Sequence, residues 1–181
     1  MSLVTMREIL PYAEEKKIAI PAFNIDTMEI TQAILETVEE ENCPAIIAVG
    51  QAAIKDGKLE SLAATVRTLA KDMKTPVVLH LDHGQSVEQV VKALCAGFTS
   101  VMIDGSKLSF EDNIAVTQEV VRIAEAKATE IVEEAMVRER EMRVGAEDYA
   151  DQIFANLETN LDNLLKNVTR CRARLNNSSA D

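Results

Sequence analysis

The chain has 181 residues, 47% hydrophobic and 27% charged, the size and balance of one ordinary globular domain. Its net charge of -11, with Lys and Arg interleaved among acids, argues against a nucleic-acid surface, which needs clustered cations. No apolar run approaches the roughly 18 residues of a membrane span, residues 1–10 lack the basic start and apolar core of a signal peptide, and Cys43, Cys95 and Cys171 are too scattered for a disulfide framework, so a soluble, cytoplasmic protein with reduced thiols is expected.

Thr5 can cap an opening helix over 6–15, after which residues 18–23 read as a first strand ending at Asn24, Ile25 and Asp26, with Pro21 as a weak point in its ladder. Thr27 precedes a helix to about residue 41, whose Ile30, Ala33, Ile34 and Val38 form the face expected to pack on a sheet. Pro44 introduces a buried strand over 45–49, ended by Gly50 and Gln51. The segment 58–72 is helical, with Leu59, Leu62, Ala63, Val66 and Leu69 at spacings of three and four. After Pro76, the run Val77, Val78, Leu79, His80 and Leu81 is the pattern of a buried parallel strand, and it ends in Asp82, His83 and Gly84. Ser86 with Gln89 resembles a capping box for a helix through Ala96, closed by Gly97 in the C′ position. A fourth strand over 99–103 leads through Asp104, Gly105 and Ser106 to a fourth helix, 110–124.

Strand and helix alternating at this interval make parallel βα units. Asn24 with Asp26, Gln51, Asp82 with His83, and Asp104 with Ser106 each follow a different strand, so all share the face onto which carboxyl ends open. A barrel and an open flavodoxin-like sheet gather them alike, and the pattern leaves both standing. At that place Asp82 suits a catalytic acid/base and His83 a metal ligand; the plainer alternative is a strand end that turns at Gly84. The odd separation of His80 and His83 sends them to opposite faces of a regular strand, which makes His80 a structural residue.

All four prolines and five of the six glycines lie before position 106; from Glu125 onward only Gly145 punctuates the chain. Leu157, Leu161, Leu164, Val168, Cys171 and Leu175 recur at alternating four and three residues. That spacing is the seam of a coiled coil, of a two-helix hairpin, or of an amphipathic helix packed on its own domain. Gly145 is expected to break the preceding helix, and 176–181 to fray.

Four stretches, Ile20-Pro-Ala-Phe-Asn-Ile25, Pro44-Ala-Ile-Ile-Ala48, Leu79-His-Leu-Asp-His-Gly84 and Ser100-Val-Met-Ile-Asp-Gly-Ser106, the last followed by Phe110-Glu-Asp-Asn-Ile114, stand in the order and spacing of one family. They resemble the class II, zinc-dependent fructose-bisphosphate and tagatose-bisphosphate aldolases. The resemblance covers residues 1–124 and implies the N-terminal half of a TIM (β/α)8 barrel, four βα units, followed over 125–181 by an unrelated helical or coiled-coil tail. It implies reversible, zinc-dependent aldol cleavage of a ketose 1,6-bisphosphate to dihydroxyacetone phosphate and glyceraldehyde 3-phosphate. Asp82 matches the aspartate that exchanges a proton with the substrate's C4 oxygen, His83 matches one of three zinc histidines, and Asn24 matches a substrate-contacting asparagine. The zinc stabilises the enediolate as a Lewis acid.

Two departures qualify it. Where the family writes Asp-Gly-Ser-His-Leu-Pro-Phe, this chain has Asp104-Gly-Ser-Lys107-Leu-Ser109-Phe110. A complete barrel needs roughly 200 residues or more, and the other two zinc histidines and the phosphate-binding loops have no counterpart here. The expectation is therefore a truncated aldolase homologue, inactive or strongly impaired, that holds zinc weakly or not at all and self-associates through exposed barrel edges or through its tail. The alternative is a non-catalytic fusion relic whose coiled-coil tail mediates protein association.

Overall fold

In the computed structural model, residues 2–177 are described, with side chains as far as Ala173. The chain divides into two units, Met1–Ala128 and Thr129–Asp181. In the first, helix α1 (Met6–Lys16) opens where the Glu8 carboxylate accepts both the Thr5 N–H and the Thr5 hydroxyl, each at 2.8 Å, satisfying amide donors that a helix start leaves unpaired. Strand β1 is only Ala22–Asn24, shorter than the expected 18–23. Pro21 offers no N–H, so pairing begins with its carbonyl, which accepts the Ile46 N–H at 2.9 Å. Asn24 consequently lies within the strand.

Helix α2 (Met28–Glu40) is capped by the Thr27 hydroxyl, which accepts the Ile30 N–H at 3.3 Å. Its buried face is Thr31, Leu35 and Val38. Ile30 is 45% exposed and Ala33 is also exposed, which corrects the face expected from spacing. Its Ile30–Ala33 side is left exposed. Strand β2 (Ala45–Val49) runs as expected and is followed by a short helix, α3 (Gln51–Lys55), that spacing did not announce. Helix α4 (Leu59–Leu69) and a 3-10 turn over Ala70–Asp72 return the chain to β3 (Val77–Gly84). Leu59, Leu62, Ala63 and Val66 are buried, whereas Leu69 is half-exposed and Ala70 takes the inward place as the helix tightens. Helix α5 (Val87–Ala96) is capped by Ser86 and ends at Gly97, whose φ of 95° is the left-handed conformation a C-terminal glycine supplies. Strand β4 (Ser100–Ile103) completes the sheet.

All pairings are parallel, in the order β1-β2-β3-β4. Alternation then sorts the two faces. Ala45, Ile47 and Val49 of β2 with Val77, Leu79 and Leu81 of β3 meet the helices in one buried core. Each such Leu, Ile or Val contributes about 1.5–3 kcal/mol by leaving water. On the other face, register aligns Asn24, Ala48, His80 and Ser100 in one row.

Helix α6 (Phe110–Asn177) runs through Gly145 without a break, correcting the expected interruption. A mid-helix glycine costs only about 0.5–1 kcal/mol, which a helix this long absorbs. In the second unit Leu157, Leu161, Leu164 and Val168 are 51–64% exposed and Cys171 is exposed; the Leu175 side chain lies outside the described residues. No helix among the described residues is long and apolar enough to cross a membrane.

Candidate active site at the strand ends

The site grows from an irregularity in β3. Leu81 pairs with Val101, but Gly84 pairs with Ile103, so one extra residue is inserted opposite β4. The insertion is accommodated at His83, whose φ of 55° is left-handed, an uncommon conformation for a residue with a side chain. Gly84 follows because a Cβ there would stand 2.6 Å from the Met102 carbonyl oxygen. Its own carbonyl accepts the Asp104 N–H at 2.8 Å, tying the ends of β3 and β4 together.

Gln51, at the start of α3, holds this bulge from the β2 side. Its Nε2 donates to the His83 carbonyl at 2.8 Å and to Gln89 Oε1 at 3.0 Å, and that same Gln89 oxygen accepts the Gln85 N–H at 2.9 Å. Sequence reasoning missed this bracket. It placed Gln51 at a strand end and read Gln89 as a capping-box partner of Ser86; the Gln89 carbonyl serves Gln85 instead, one residue earlier.

Three side chains converge. His83 Nδ1 is 3.0 Å from Asp104 Oδ2, and His83 Nε2 is 3.8 Å from Asp82 Oδ1. The carboxylates are about a quarter exposed, at 28% for Asp82 and 24% for Asp104, while the imidazole is 57% exposed. Asp104 is held at a pKa of about 2 by the Ser106 hydroxyl, by the Ser106 N–H at 3.0 Å, and by His83. In return the Asp104 hydrogen bond, with the Asp82 charge, raises His83 above its ordinary range. An imidazole whose Nδ1–H is committed to a carboxylate presents Nε2 outward, the orientation suited to exchanging a proton or meeting a cation.

His80 does not stand apart as strict alternation implied, because the pleat is interrupted after Leu81. It is half-buried with Nδ1 2.8 Å from Ser100 Oγ; burial lowers its pKa, Asp82 opposes that, and His83 adds to it. Asn24 shares the His80 row, two residues back along β3 from Asp82, and among the described residues no hydrogen bond joins it to the cluster. Asp26 and Lys107 are exposed and lie outside it.

Among the described residues no group of three or more His, Cys, Asp or Glu side chains could hold a metal ion. His83 Nε2 and Asp82 are two donors, and the His80 Nδ1 contact is to Ser100. The three-ligand set that a catalytic zinc requires is not met by these residues.

The family described as fructose-bisphosphate aldolase class-II matches residues 4–172. A probable fructose-bisphosphate aldolase of Bacillus subtilis is 46% identical over 127 residues, covering 68% of this chain and 45% of the relative. A 6-phospho-5-dehydro-2-deoxy-D-gluconate aldolase of Halalkalibacterium halodurans is 42% identical over 130 residues, covering 70% and 45%. The crystal structure of the YdjI aldolase from Escherichia coli K12 superposes with a TM-score of 0.64 at 31% identity, over 68% of this chain and 48% of that one. The chain thus spans about half the length of the relatives it matches, and the matched part holds the four parallel strands with their polar ends. By that match, running through nearly all of its length, the chain belongs to the class II fructose-bisphosphate aldolase family.

Proposed function

We propose that the chain carries one part of a class II aldolase site, on the first four units of a (β/α)8 barrel. Asp82 exchanges a proton with the C4 oxygen of a ketose 1,6-bisphosphate, fructose or tagatose, His83 is one ligand of a zinc, and Asn24 contacts substrate. The observation that carries this reading is the Asp82, His83 and Asp104 cluster on the joined ends of β3 and β4. Retro-aldol cleavage needs a base at the C4 hydroxyl and a cationic partner for the enediolate, and a carboxylate 3.8 Å from an oriented imidazole nitrogen supports the first and one element of the second. The named relatives share phosphorylated sugars or sugar acids as the substrate class.

The same residues support a limit on activity. A catalytic zinc takes about three protein ligands with one position open. His83 is the ancestral histidine at this end, and using Asp82 as a ligand would remove it from proton transfer. The chain on its own is therefore expected to release triose phosphate from neither bisphosphate at an enzyme-like rate. The test is to add zinc to purified chain, measure bound metal, and follow triose phosphate release beside His83→Ala. Sub-stoichiometric zinc and rates equal to the control are expected; stoichiometric zinc with turnover abolished in the control would overturn the limit.

We place the aldolase-derived part at 1–124 and the tail at 125–181. The change of punctuation after residue 106 supports that division, while the family match runs on to 172. The exposed Leu157, Leu161, Leu164 and Val168 favour a second reading, in which the tail docks a helix of another protein and the sheet performs no reaction. Turnover that depends on both Asp82 and His83 would exclude it.

A further inference from the structure

The two open sides of the sheet match each other. Within the first unit α4, after β2, packs on α2, and α5, after β3, packs on α4. At 3.6 residues per turn, the α2 side facing α4 (Gln32, Glu36 and Glu39) lies about 100° around the helix from its buried Thr31, Leu35 and Val38. In the opposite sense, about 120° on average, lie Ala33, Ile34 and Thr37, against which no helix packs among the described residues. With Pro21, Phe23 and Cys43 they line an apolar groove of about 590 Å³ beside the unpaired edge of β1.

Helix α6 offers the complement at the other edge. Val120 is buried and Val116 partly so, while Phe110, Ile114 and Val121 are 76%, 43% and 48% exposed. With Thr117 they form a stripe about 110° from the buried line, in the sense in which α2 turns toward its successor. Groove and stripe therefore have the handedness of consecutive units in one closed ring.

Level agrees as well. Both helices start just beyond a strand end, α2 at Met28 and α6 at Phe110, so groove and stripe overlap in depth.

We propose that two copies of this chain close an eight-stranded barrel, the α6 stripe of each lying in the β1–α2 groove of the other. Two identical head-to-tail contacts close under a two-fold axis and leave no edge open. The closed ring puts two sets of Asn24, Asp82 and His83 on one face. The proposal concerns assembly and stands whether or not the site turns over.

Light scattering on the full chain at about 20 μM, a concentration at which assembly governs apparent state, is expected to give twice the 19.9 kDa chain mass. Thr37→Arg and Val121→Asp, both at exposed positions, are each expected to give monomers. Their equimolar mixture is expected to regain dimers, since one seam pairs intact faces and the other pairs Arg with Asp. Leu164→Glu is expected to leave the dimer unchanged. A monomeric wild type, an open-ended series of larger species, a mixture that stays monomeric, or a dimer lost only in Leu164→Glu would each overturn the proposal, the last in favour of association through the tail.

Discussion

Gly84→Ala tests whether the joined ends of β3 and β4 organise the site. The new methyl would sit 2.6 Å from the Met102 carbonyl oxygen and 3.0 Å from Leu81 Cδ2, where ordinary contact begins near 3.4 Å. Met102 is backbone in a paired strand, so relief requires β4 to move away by about 0.8 Å or more, a shift of the kind that overpacking forces on a filled interior. Overpacking costs about 1–3 kcal/mol, and weakening the 2.8 Å bond from the Asp104 N–H to the Gly84 carbonyl adds about 1 kcal/mol, for a total of about 2–4 kcal/mol. Amide exchange on peptides from β3 and β4 should lose protection by about thirtyfold or more, while the second unit should be unaffected. Because Asp104 moves with β4, its 3.0 Å contact to His83 opens and the imidazole should titrate closer to its ordinary value. Gly50→Ala is the control, since its methyl meets only Asn24 Nδ2, at an ordinary 3.9 Å, with an extended backbone. Equal protection and equal His83 titration in the two variants would refute the reasoning.

Asp104→Asn should lower the His83 pKa seen by NMR. In the native chain the raised His83 contributes stability fully below 6.5 and loses it as pH rises through the folded value, while Asp104 contributes above 3.8 and loses it as pH falls toward about 2. In the variant the Asp104 contribution should vanish and the His83 contribution should shrink to the share that Asp82 supplies. Glu39 accepts the Lys74 and Thr75 N–H groups, at 3.1 and 2.9 Å, which depress its pKa; the stability gap to Glu39→Gln should hold above pH 4.5 and close as pH falls through the lowered value, as acid titration of urea midpoints would show. Gly145→Ala should stabilise the second unit by about 0.5–1 kcal/mol, read from its thermal helix signal, because nothing crowds the added methyl.

Elements that are locally overdetermined were legible in the sequence. Strand β2 was bounded by Pro44 and Gly50 and filled with apolar residues buried on the helix side, and α5 was bounded by Ser86 and Gly97. The elements that escaped depend on their surroundings. Strand β1 is an edge with a single neighbour, so Pro21 could shorten it with no second ladder to hold the remainder. Gly145 reads as a breaker by propensity, yet inside a long helix one weak residue does not repay the cost of opening the turns on both sides.

The candidate site divides the same way. That Asp82, His83 and Asp104 share an end follows from parallel strands alone, and chain order made it readable. How they touch depends on the one residue inserted between Leu81 and Gly84, and no side chain announces a left-handed histidine. The parity argument that separated His80 from His83 failed at that insertion, because any bulge resets the alternation beyond it. Helix α2 carries the converse lesson. Its Ile30 and Ala33 were read as buried with Ile34 and Val38; the structure leaves the first two exposed, packs Ile34 partly against the core, and buries Thr31 and Leu35. The helix has two apolar sectors, one toward the sheet and one toward an open edge, and periodicity sees both without telling which is covered within a single chain. An apolar sector turned toward an unpaired strand is therefore a residue pattern suited to a neighbour, and the stripe on α6 is the matching pattern this chain itself supplies.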